Sequence, residues 1–280
     1  MTIKEIQKKN KDVEVDLLLA HVLKQPKEFL YLNPQVTLTP QQTAKLTTLV
    51  GRRKNSEPIA YLVGHKYFYG LKFKINKHVL TPRPETEWLM DKALSTVKSE
   101  KWTVDSKKKT KVRILDVGTG SGCIAISLAH TLSTVHCSLF TVTASDVSAS
   151  ALKVAEQNAK THKTKVTFIQ SDLFSKIPGT FNIITANLPY VPQGMYELLY
   201  HNLKYEPKVA ITDGGEVWDM YRRFFEQLPK HLATGGVALL EIDDGSKSDL
   251  QKMIKRLLPG YKTSFYKDLN GLWRYLEIKS

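Results

Sequence analysis

The second half of the chain alternates regularly between strand-like and helix-like segments, and this alternation constrains the fold more than any other feature. It predicts an α/β domain with a mostly parallel sheet, because parallel strands are joined by crossover helices. The chain should end in an antiparallel hairpin around Asn270-Gly271, a strong tight-turn signal. The predicted strands are 112–116, 138–145, 166–170, 181–186, 237–242, 261–267 and 272–278, and the predicted helices are 124–132, 149–160, 218–231 and 250–258.

The preceding residues form two further parts. Residues 1–56 predict a small helical domain, in which Thr39 is the N-cap and Pro40 the first residue of one helix. Residues 57–84 predict a β-hairpin linker, since aromatics alternate around Gly70. The α/β domain then spans residues 85–280. It is expected to begin with a helix over 85–97 and an exposed lysine-rich loop over 98–111.

Composition narrows the class of protein. The 280 residues carry a net charge of +14, which either attracts RNA or an RNA-rich machine or only solvates a basic surface; both interpretations stay open. The two cysteines, Cys123 and Cys137, are too few for a disulfide scaffold or a cysteine-rich metal site. No apolar run is long enough to span a membrane, and acids interrupt the first twenty residues. We therefore expect a cytoplasmic protein with reduced thiols and no metal.

A glycine-rich loop follows the first predicted strand of the α/β domain. Its Gly-x-Gly-x-Gly spacing lets the backbone turn sharply and approach a ligand closely. The spacing differs from the dinucleotide fingerprint, and no Gly-Lys-Ser/Thr phosphate loop is present. Alone, the loop is equally consistent with a tight turn that binds nothing. It comprises Gly118, Thr119, Gly120, Ser121 and Gly122.

Acidic residues follow the next two strands. Asp146 can accept both hydroxyls of a ribose, and Asp172 can accept an adenine amino group while Leu173 packs against the ring. With the glycine loop, they occupy the carboxyl ends of three successive strands, where open α/β sheets bind ligands. These positions predict a nucleoside cofactor. Asp116, at the first strand end, either contacts the cofactor through water or pins the glycine loop.

The fourth strand runs into Asn187-Leu188-Pro189-Tyr190, which suits chemistry on a planar nitrogen. The Asn187 side-chain oxygen can accept one N–H of the target, and the Leu188 carbonyl, fixed by Pro189, can accept the other. Tyr190 can stack on the planar group. The nitrogen is thereby oriented for methyl transfer by preorganised dipoles, and no base is required beforehand.

This constellation resembles the amino-methyltransferase branch of the class I S-adenosylmethionine-dependent methyltransferases. Within that branch, Leu188 at the second position of the tetrapeptide resembles the ribosomal RNA adenine dimethylases. Release-factor glutamine methyltransferases more usually have proline there.

The remaining segments resemble the glutamine methyltransferases over roughly residues 55–280. The similar segments are 64–73, 79–87 with its Thr-Pro-Arg-Pro-Glu-Thr-Glu, and 205–211 followed by Asp213-Gly214-Gly215. That family also carries an N-terminal helical domain, whereas the RNA dimethylases place their extra domain after the core. The resemblance implies a Rossmann-like class I methyltransferase sheet with a C-terminal antiparallel hairpin, preceded by a small helical substrate-recognition domain and a β-hairpin linker.

The resemblance also implies the reaction and the site. The cofactor would be S-adenosyl-L-methionine, and the acceptor the side-chain amide nitrogen (N5) of the glutamine in the Gly-Gly-Gln loop of class I peptide chain release factors. Leu188 should serve as well as proline because its role is a backbone carbonyl, whereas Leu173 replaces a tryptophan of many members. Residues 81–85 would close over the cofactor, unless Arg83 is structural and pairs with an acid such as Glu87. The candidate catalytic residues are Asn187, Pro189 and Tyr190; those for the cofactor are 118–122, Asp146, Asp172, Leu173 and Asn187; those for the substrate are 187–190.

Two other functions fit parts of the sequence. The tetrapeptide spelling and the positive charge favour an RNA or DNA adenine-N6 methyltransferase. A non-catalytic ribosome- or RNA-binding module that kept the fold is the second, although Asn187 and Asp146 argue against it. The partners expected are release factors, with ribosome association open, no membrane, and a monomer sufficient for activity.

Overall fold

The computed structural model describes residues 1–9, 13–99, 112–134, 140–212, 214–215 and 217–280. Most of the predicted lysine-rich loop, Cys137, the first two residues of the strand predicted over 138–145 and Asp213 lie outside these residues. The chain divides into two compact units, one of residues 1–65 with 75–77, the other of residues 66–74 with 78–280. In the described part of the chain, no helix is long and apolar enough to cross a membrane.

The first unit is helical, as predicted for residues 1–56. Leu18, Leu19 and Leu30 are buried at its centre. The predicted cap at Thr39 is confirmed: its hydroxyl accepts from the Gln42 N–H at 3.2 Å, and its own N–H donates to the Gln42 side chain at 2.9 Å. The helices are α1 (Ile3–Lys9), α2 (Val13–Leu23), α3 (Lys27–Leu32), α4 (Pro40–Lys54) and α5 (Ile59–Val63).

The predicted hairpin and the predicted α/β alternation are both present. Strands β1 (His65–Phe68) and β2 (Leu71–Lys74) form a two-stranded sheet. A short 3₁₀ turn (Pro84–Thr86) then precedes α6, and two further 3₁₀ turns cover Lys208–Ala210 and Asp244–Ser246. The strands of the large sheet are β3 (Val112–Val117), β4 (Phe140–Asp146), β5 (Val166–Gln170), β6 (Phe181–Asn187), β7 (Leu232–Glu241), β8 (Lys262–Lys267) and β9 (Trp273–Lys279). The helices are α6 (Glu87–Ser99), α7 (Cys123–Thr134), α8 (Ala149–Thr161), α9 (Gln193–Leu198), α10 (Tyr200–Leu203), α11 (Val217–His231) and α12 (Lys247–Leu257).

The large sheet has the order β5-β4-β3-β6-β7-β9-β8. The first five strands are parallel, and β9 and β8 form the predicted antiparallel edge. The chain builds outward from β3 to β5 and then returns to place β6 on the other side of β3. This reversal opens a crevice at the carboxyl ends of β3 and β6, which is where sheets of this kind bind ligands.

The central strands read as nearly continuous apolar runs because helices cover both faces of the sheet. In β7, for example, Val237, Ala238, Leu239 and Leu240 are all fully buried. Buried polar side chains interrupt these runs near the carboxyl ends of the strands, at Asp116, Thr185 and Glu241. The polar groups therefore collect at the edge where the crevice lies.

Asn158 of α8 connects the hairpin to the glycine loop. Its side-chain oxygen accepts from the Lys74 N–H at 2.8 Å, while its amide nitrogen donates to the Lys74 carbonyl at 3.1 Å and to the Ser121 carbonyl at 2.9 Å. Asn158 is 1% exposed. A single buried side chain thus satisfies backbone groups of two segments that are far apart in sequence.

Candidate active site

A cavity of about 300 Å³ lies over the carboxyl ends of β3, β4 and β6. Its wall includes most of the residues predicted from the sequence. It also includes Met220 and Arg223, which sequence reasoning missed because α11 is remote along the chain. Gly122 and Tyr190 are absent from this wall. The predicted residues in the wall are Gly118, Thr119, Gly120, Ser121, Asp146, Asp172, Leu173, Asn187, Leu188 and Pro189.

The three glycines of the loop adopt left-handed backbone conformations. Gly118, Gly120 and Gly122 have φ values of 73°, 55° and 80°, which side chains of L-residues rarely adopt. A β-carbon at Gly122 would lie 2.7 Å from Ile126 Cδ1 and 3.1 Å from the β-carbon of Ala155 in α8. Gly122 thus serves loop geometry and the close approach of α7 to α8, rather than the cavity wall.

Asp116 pins this loop. One carboxylate oxygen accepts from the Thr119 hydroxyl at 2.6 Å, and the other accepts from the Thr185 hydroxyl at 2.8 Å. Burial raises the pKa of Asp116 to about 6, although both hydroxyls oppose the shift. The sequence left two roles open for Asp116, contact with the cofactor through water or stabilisation of the glycine loop. The structure favours the second role, because Asp116 is 1% exposed and is not part of the cavity wall.

Asp146 joins the loop to the start of α8. Its two carboxylate oxygens accept from the Gly120 N–H at 2.8 Å and from the Ser148 N–H at 2.9 Å. Burial raises the pKa of Asp146, against the lowering by these N–H donors. Asp146 lines the cavity, and each of its oxygens keeps capacity for a further hydrogen bond, which a ribose hydroxyl could use.

Asp172 and Leu173 follow β5 and form another part of the wall. Asp172 forms an ion pair with Arg223, so one of its oxygens already has a cationic partner. Leu173 is buried with φ of 46°, an unusual conformation for a branched residue that costs roughly 1–3 kcal/mol. Backbone strain often occurs at ligand sites, and Leu173 lines the cavity wall.

Asn187 is the end of a chain of buried hydrogen bonds. Its amide nitrogen donates to Thr86 Oγ1 at 3.3 Å, and the Thr86 hydroxyl donates to Glu241 Oε2 at 2.7 Å. The Tyr190 hydroxyl donates to Glu241 Oε1 at 3.3 Å. Sequence reasoning missed Thr86 and Glu241. Glu241 could have been found, because it is an acid near the end of a predicted apolar strand at the same sheet edge.

A second cavity, of about 100 Å³, adjoins the first. The two share Asn187 and Leu188, while Tyr190 and Glu241 line only the smaller one. Burial and the nearby Glu241 carboxylate raise the pKa of Tyr190, so its hydroxyl stays protonated at neutral pH. The predicted tetrapeptide therefore stands between a larger and a smaller space.

The turn at residues 81–83 lines the larger cavity, and its Arg83 also lines the smaller one. The residue that anchors this turn differs from the one expected. Arg83 Nη2 donates to Glu206 Oε2 at 2.6 Å, and the Thr81 N–H donates to Glu206 Oε1 at 3.0 Å. The suggested pairing of Arg83 with Glu87 is wrong, because Glu87 at the start of α6 accepts from the Tyr69 N–H instead, at 2.8 Å. Glu206 is 4% exposed and holds the turn from the opposite wall.

The larger cavity fits an amphipathic nucleoside cofactor. Its wall combines apolar surface with the Asp146 carboxylate, and the buried Thr81 hydroxyl has no hydrogen-bond partner in the described part of the chain. An orphan hydroxyl in a cavity wall is accounted for when a polar ligand group binds to it. Among the described residues, no cluster of three or more His, Cys, Asp or Glu could hold a metal ion.

Solved structures with the same architecture are methyltransferases. The hMettl16 catalytic domain, solved in complex with the MAT2A 3′UTR hairpin 6, matches with a TM-score of 0.54 and 16% identity over 93% of this chain and 91% of its own. A methyltransferase from Pyrococcus furiosus matches with a TM-score of 0.50 and 16% identity over 86% and 98%. The predicted class I methyltransferase fold is confirmed.

Sequence comparisons narrow this class. A PrmC N-terminal domain model matches residues 2–64, and a methyltransferase small domain model matches residues 103–234. The release factor glutamine methyltransferase of Bacillus anthracis is 34% identical over 91% of this chain and 88% of its own length. That of Koribacter versatilis is 37% identical over 82% and 78%. The chain therefore belongs to the release factor glutamine methyltransferase family, and its cofactor is S-adenosyl-L-methionine.

Proposed function

We propose that this enzyme methylates the side-chain amide nitrogen (N5) of the glutamine in the Gly-Gly-Gln motif of peptide chain release factors. Its relatives are named release factor glutamine methyltransferases. The observation that carries the proposal is the position of Asn187, which lines both the cofactor-sized cavity and the smaller one beside it. An acceptor nitrogen held by Asn187 would face the cofactor across a short distance.

The chain's own residues would orient the amide. The Asn187 oxygen would accept a hydrogen bond from one N–H of the acceptor, and the Leu188 carbonyl, fixed by Pro189, would accept a hydrogen bond from the other N–H as the nitrogen becomes pyramidal. The proton that methylation displaces would then leave to solvent. The Tyr190 ring lines the smaller cavity and would pack on the planar amide. S-adenosyl-L-methionine supplies an electrophilic methyl group on a sulfonium sulfur when bound. For the cofactor, we propose 118–121, Asp146, Asp172, Leu173 and Asn187 as binding residues, while Gly122 shapes the glycine loop.

The small size of the second cavity supports a side-chain amide over a nucleobase. Sites for drug-sized ligands enclose roughly 300–1,000 Å³, whereas this one encloses about 100 Å³. A glutamine side chain can enter such a space from a loop. An extruded adenine with its ribose would need more room, so the adenine-N6 alternative is less well supported.

The remaining parts of the proposal concern organisation. Residues 1–56 would recognise the release factor, residues 57–84 would link the domains, and residues 85–280 would carry out methyl transfer. We propose that the enzyme acts as a monomer, which light scattering would test. A translation factor as substrate implies a cytoplasmic enzyme. Ribosome association through the basic surface would appear as co-sedimentation that weakens with salt.

A methyl-transfer assay tests the central claim. Purified release factors are incubated with the enzyme and labelled cofactor, beside the same factors carrying a Gln-to-Ala change in the Gly-Gly-Gln loop. We expect label only on the glutamine-containing factors, with the modified residue identified by mass spectrometry. Equal labelling of the alanine control would refute the proposal, and nuclease-sensitive label on added RNA or DNA would favour the adenine alternative.

A further inference from the structure

Asn187, Thr86, Glu241 and Tyr190 form a hydrogen-bond network beside the two cavities. Thr86 is 3% exposed and Glu241 is 2% exposed, and neither contributes a surface charge or a surface contact. Glu241 is linked to Asn187 through the Thr86 hydroxyl and to Tyr190 directly. Asn187 and Tyr190 are the residues that would hold the acceptor. Asn187 and Glu241 also occupy paired positions on neighbouring strands, so the sheet itself sets their separation.

The direction of the hydrogen bonds determines how the Asn187 amide is turned. A carboxylate has no proton to give, so Thr86 and Tyr190 must both donate to Glu241. Thr86 has a single proton, and it is committed to Glu241 Oε2 at 2.7 Å. Only lone pairs of the Thr86 oxygen remain for Asn187, which must therefore direct its nitrogen toward Thr86. The Asn187 oxygen is left without a partner in the described part of the chain and is available to an acceptor N–H.

We propose that Thr86 and Glu241 are positioning residues, which fix the end of the Asn187 amide that faces the acceptor and hold the Tyr190 ring beside it. The inference rests on the proposed function and identifies how its acceptor site is preorganised. A free asparagine amide could present either end, and a donor facing the acceptor N–H would repel it. The hydrogen bonds through Thr86 to Glu241 fix the orientation of the Asn187 amide before the substrate binds.

The burial of Glu241 supports this role. Burial raises the pKa of Glu241, which means that its charged form is costly where it stands. Groups from several elements act on the same carboxyl: Arg274 of β9 lowers its pKa together with the hydroxyls of Thr86 and Tyr190, while Glu85 raises it. An apolar side chain at this strand end would cost less. Costly buried charges are concentrated where they orient reacting groups.

The decisive variant is Thr86→Val, which keeps the side-chain shape but removes the hydroxyl. We expect kcat on release factors to fall about 10- to 100-fold, since Asn187 loses its fixed orientation. The KM for the release factor and the cofactor dissociation constant should change less than about threefold, because the Thr86 hydroxyl is already bonded to Glu241 and Asn187. Thr86→Ser restores the hydroxyl and should recover most of kcat.

The control is Thr96→Val in α6, the helix that directly follows the 3₁₀ turn containing Thr86. Thr96 is also buried, but its hydroxyl donates only to the Lys92 carbonyl one turn earlier at 2.8 Å. This variant should keep wild-type kcat, and thermal unfolding of all three variants will show whether any loss of kcat follows a loss of stability. Wild-type kcat in Thr86→Val, or an equal loss in Thr86→Ser, would overturn the proposal.

A second variant tests whether the two residues act as one unit. Glu241→Gln preserves size but cannot accept hydrogen bonds at both ends, and it should also lower kcat. The double variant Thr86→Val/Glu241→Gln should then lose about as much kcat as the worse of the two single variants, because both substitutions break the same hydrogen-bond network. Losses that multiply would show two independent structural effects and would overturn the proposal.

An arm that needs no substrate separates this inference from the proposed function. In nitrogen-15 NMR, the Asn187 side-chain amide, assigned by its absence in Asn187→Ala, should show one hydrogen-bonded proton that is lost in Thr86→Val and kept in Thr86→Ser. If the wild-type enzyme does not methylate release factors, the proposed function fails while this measurement still decides the orientation of Asn187. An identical Asn187 signal in Thr86→Val would refute the inference.

Discussion

The replacement Gly122→Ala should destabilise the α/β unit for two separable reasons. The φ of 80° at Gly122 penalises any β-carbon by roughly 1–2 kcal/mol. The added carbon would also lie 2.7 Å from the tip of Ile126 and 3.1 Å from the Ala155 β-carbon. The Ile126 side chain can rotate, whereas Ala155 can give only if α8 moves, and overpacking of this kind costs about 1–3 kcal/mol. The expected loss in the free energy of unfolding is therefore about 2–5 kcal/mol.

Gly120→Ala is the matched control. Gly120 lies in the same loop with φ of 55°, and a β-carbon there would meet nothing within 4 Å. Only the backbone strain applies, so the loss should be about 1–2 kcal/mol. The difference between the two variants isolates the close approach of α7 to α8.

Urea unfolding without cofactor, followed by tryptophan fluorescence, measures both losses. The four tryptophans stand at positions 88, 102, 218 and 273, all outside the first helical unit, so the signal reports on the second unit. Equal losses for Gly122→Ala and Gly120→Ala would refute the argument from packing. A loss near zero for both would also refute the argument from backbone strain.

Three further outcomes are expected. The pKa of Asp116 is raised from 3.8 to about 6, so its contribution to stability is fully present below about pH 4 and is lost as the pH rises through about 6; Asp116→Asn should remove this loss, worth about 3 kcal/mol, in urea unfolding at both ends of the range. Asp146→Asn should weaken cofactor binding about 10- to 100-fold by calorimetry, because the amide cannot accept from both of its backbone N–H donors; unchanged affinity would exclude it from the cofactor site. Asn187→Ala should abolish methyl transfer with cofactor affinity largely kept, while Asn182→Ala, at the amino end of the same strand, should retain turnover; normal turnover in Asn187→Ala would contradict the mechanism.

The helices, the strands and the site residues at the strand ends could be predicted from the sequence, because each is indicated by residues close together in the chain. The Thr39 cap depends on residues three positions apart, and the strand at residues 166–170 is bounded by turns on both sides. Asp146 and Asn187 could be placed because both follow strands, and the ends of parallel strands meet at one sheet edge. The sheet topology alone therefore places these two side chains near each other, without knowledge of any contact.

The supporting network could not be predicted because its partners are far apart in the chain. Thr86 and Glu241 are separated by 155 residues, and Arg83 and Glu206 by 123. A local pattern does not specify which of many acids folds against a given arginine, and the nearby Glu87 was the wrong choice for Arg83. Such pairings depend on how strands and turns pack in three dimensions.

The triple contact of Asn158 has a thermodynamic consequence. Because one side chain satisfies the backbone of both Lys74 and Ser121, the hairpin and the glycine loop cannot loosen independently without leaving a buried amide unsatisfied. Any ligand that binds the ordered loop more tightly must then lower the equilibrium fraction of open hairpin, and opening of the hairpin must lower the affinity for that ligand by the same factor. The hairpin, remote in sequence from the glycine loop, is thereby linked to the occupancy of the cofactor site.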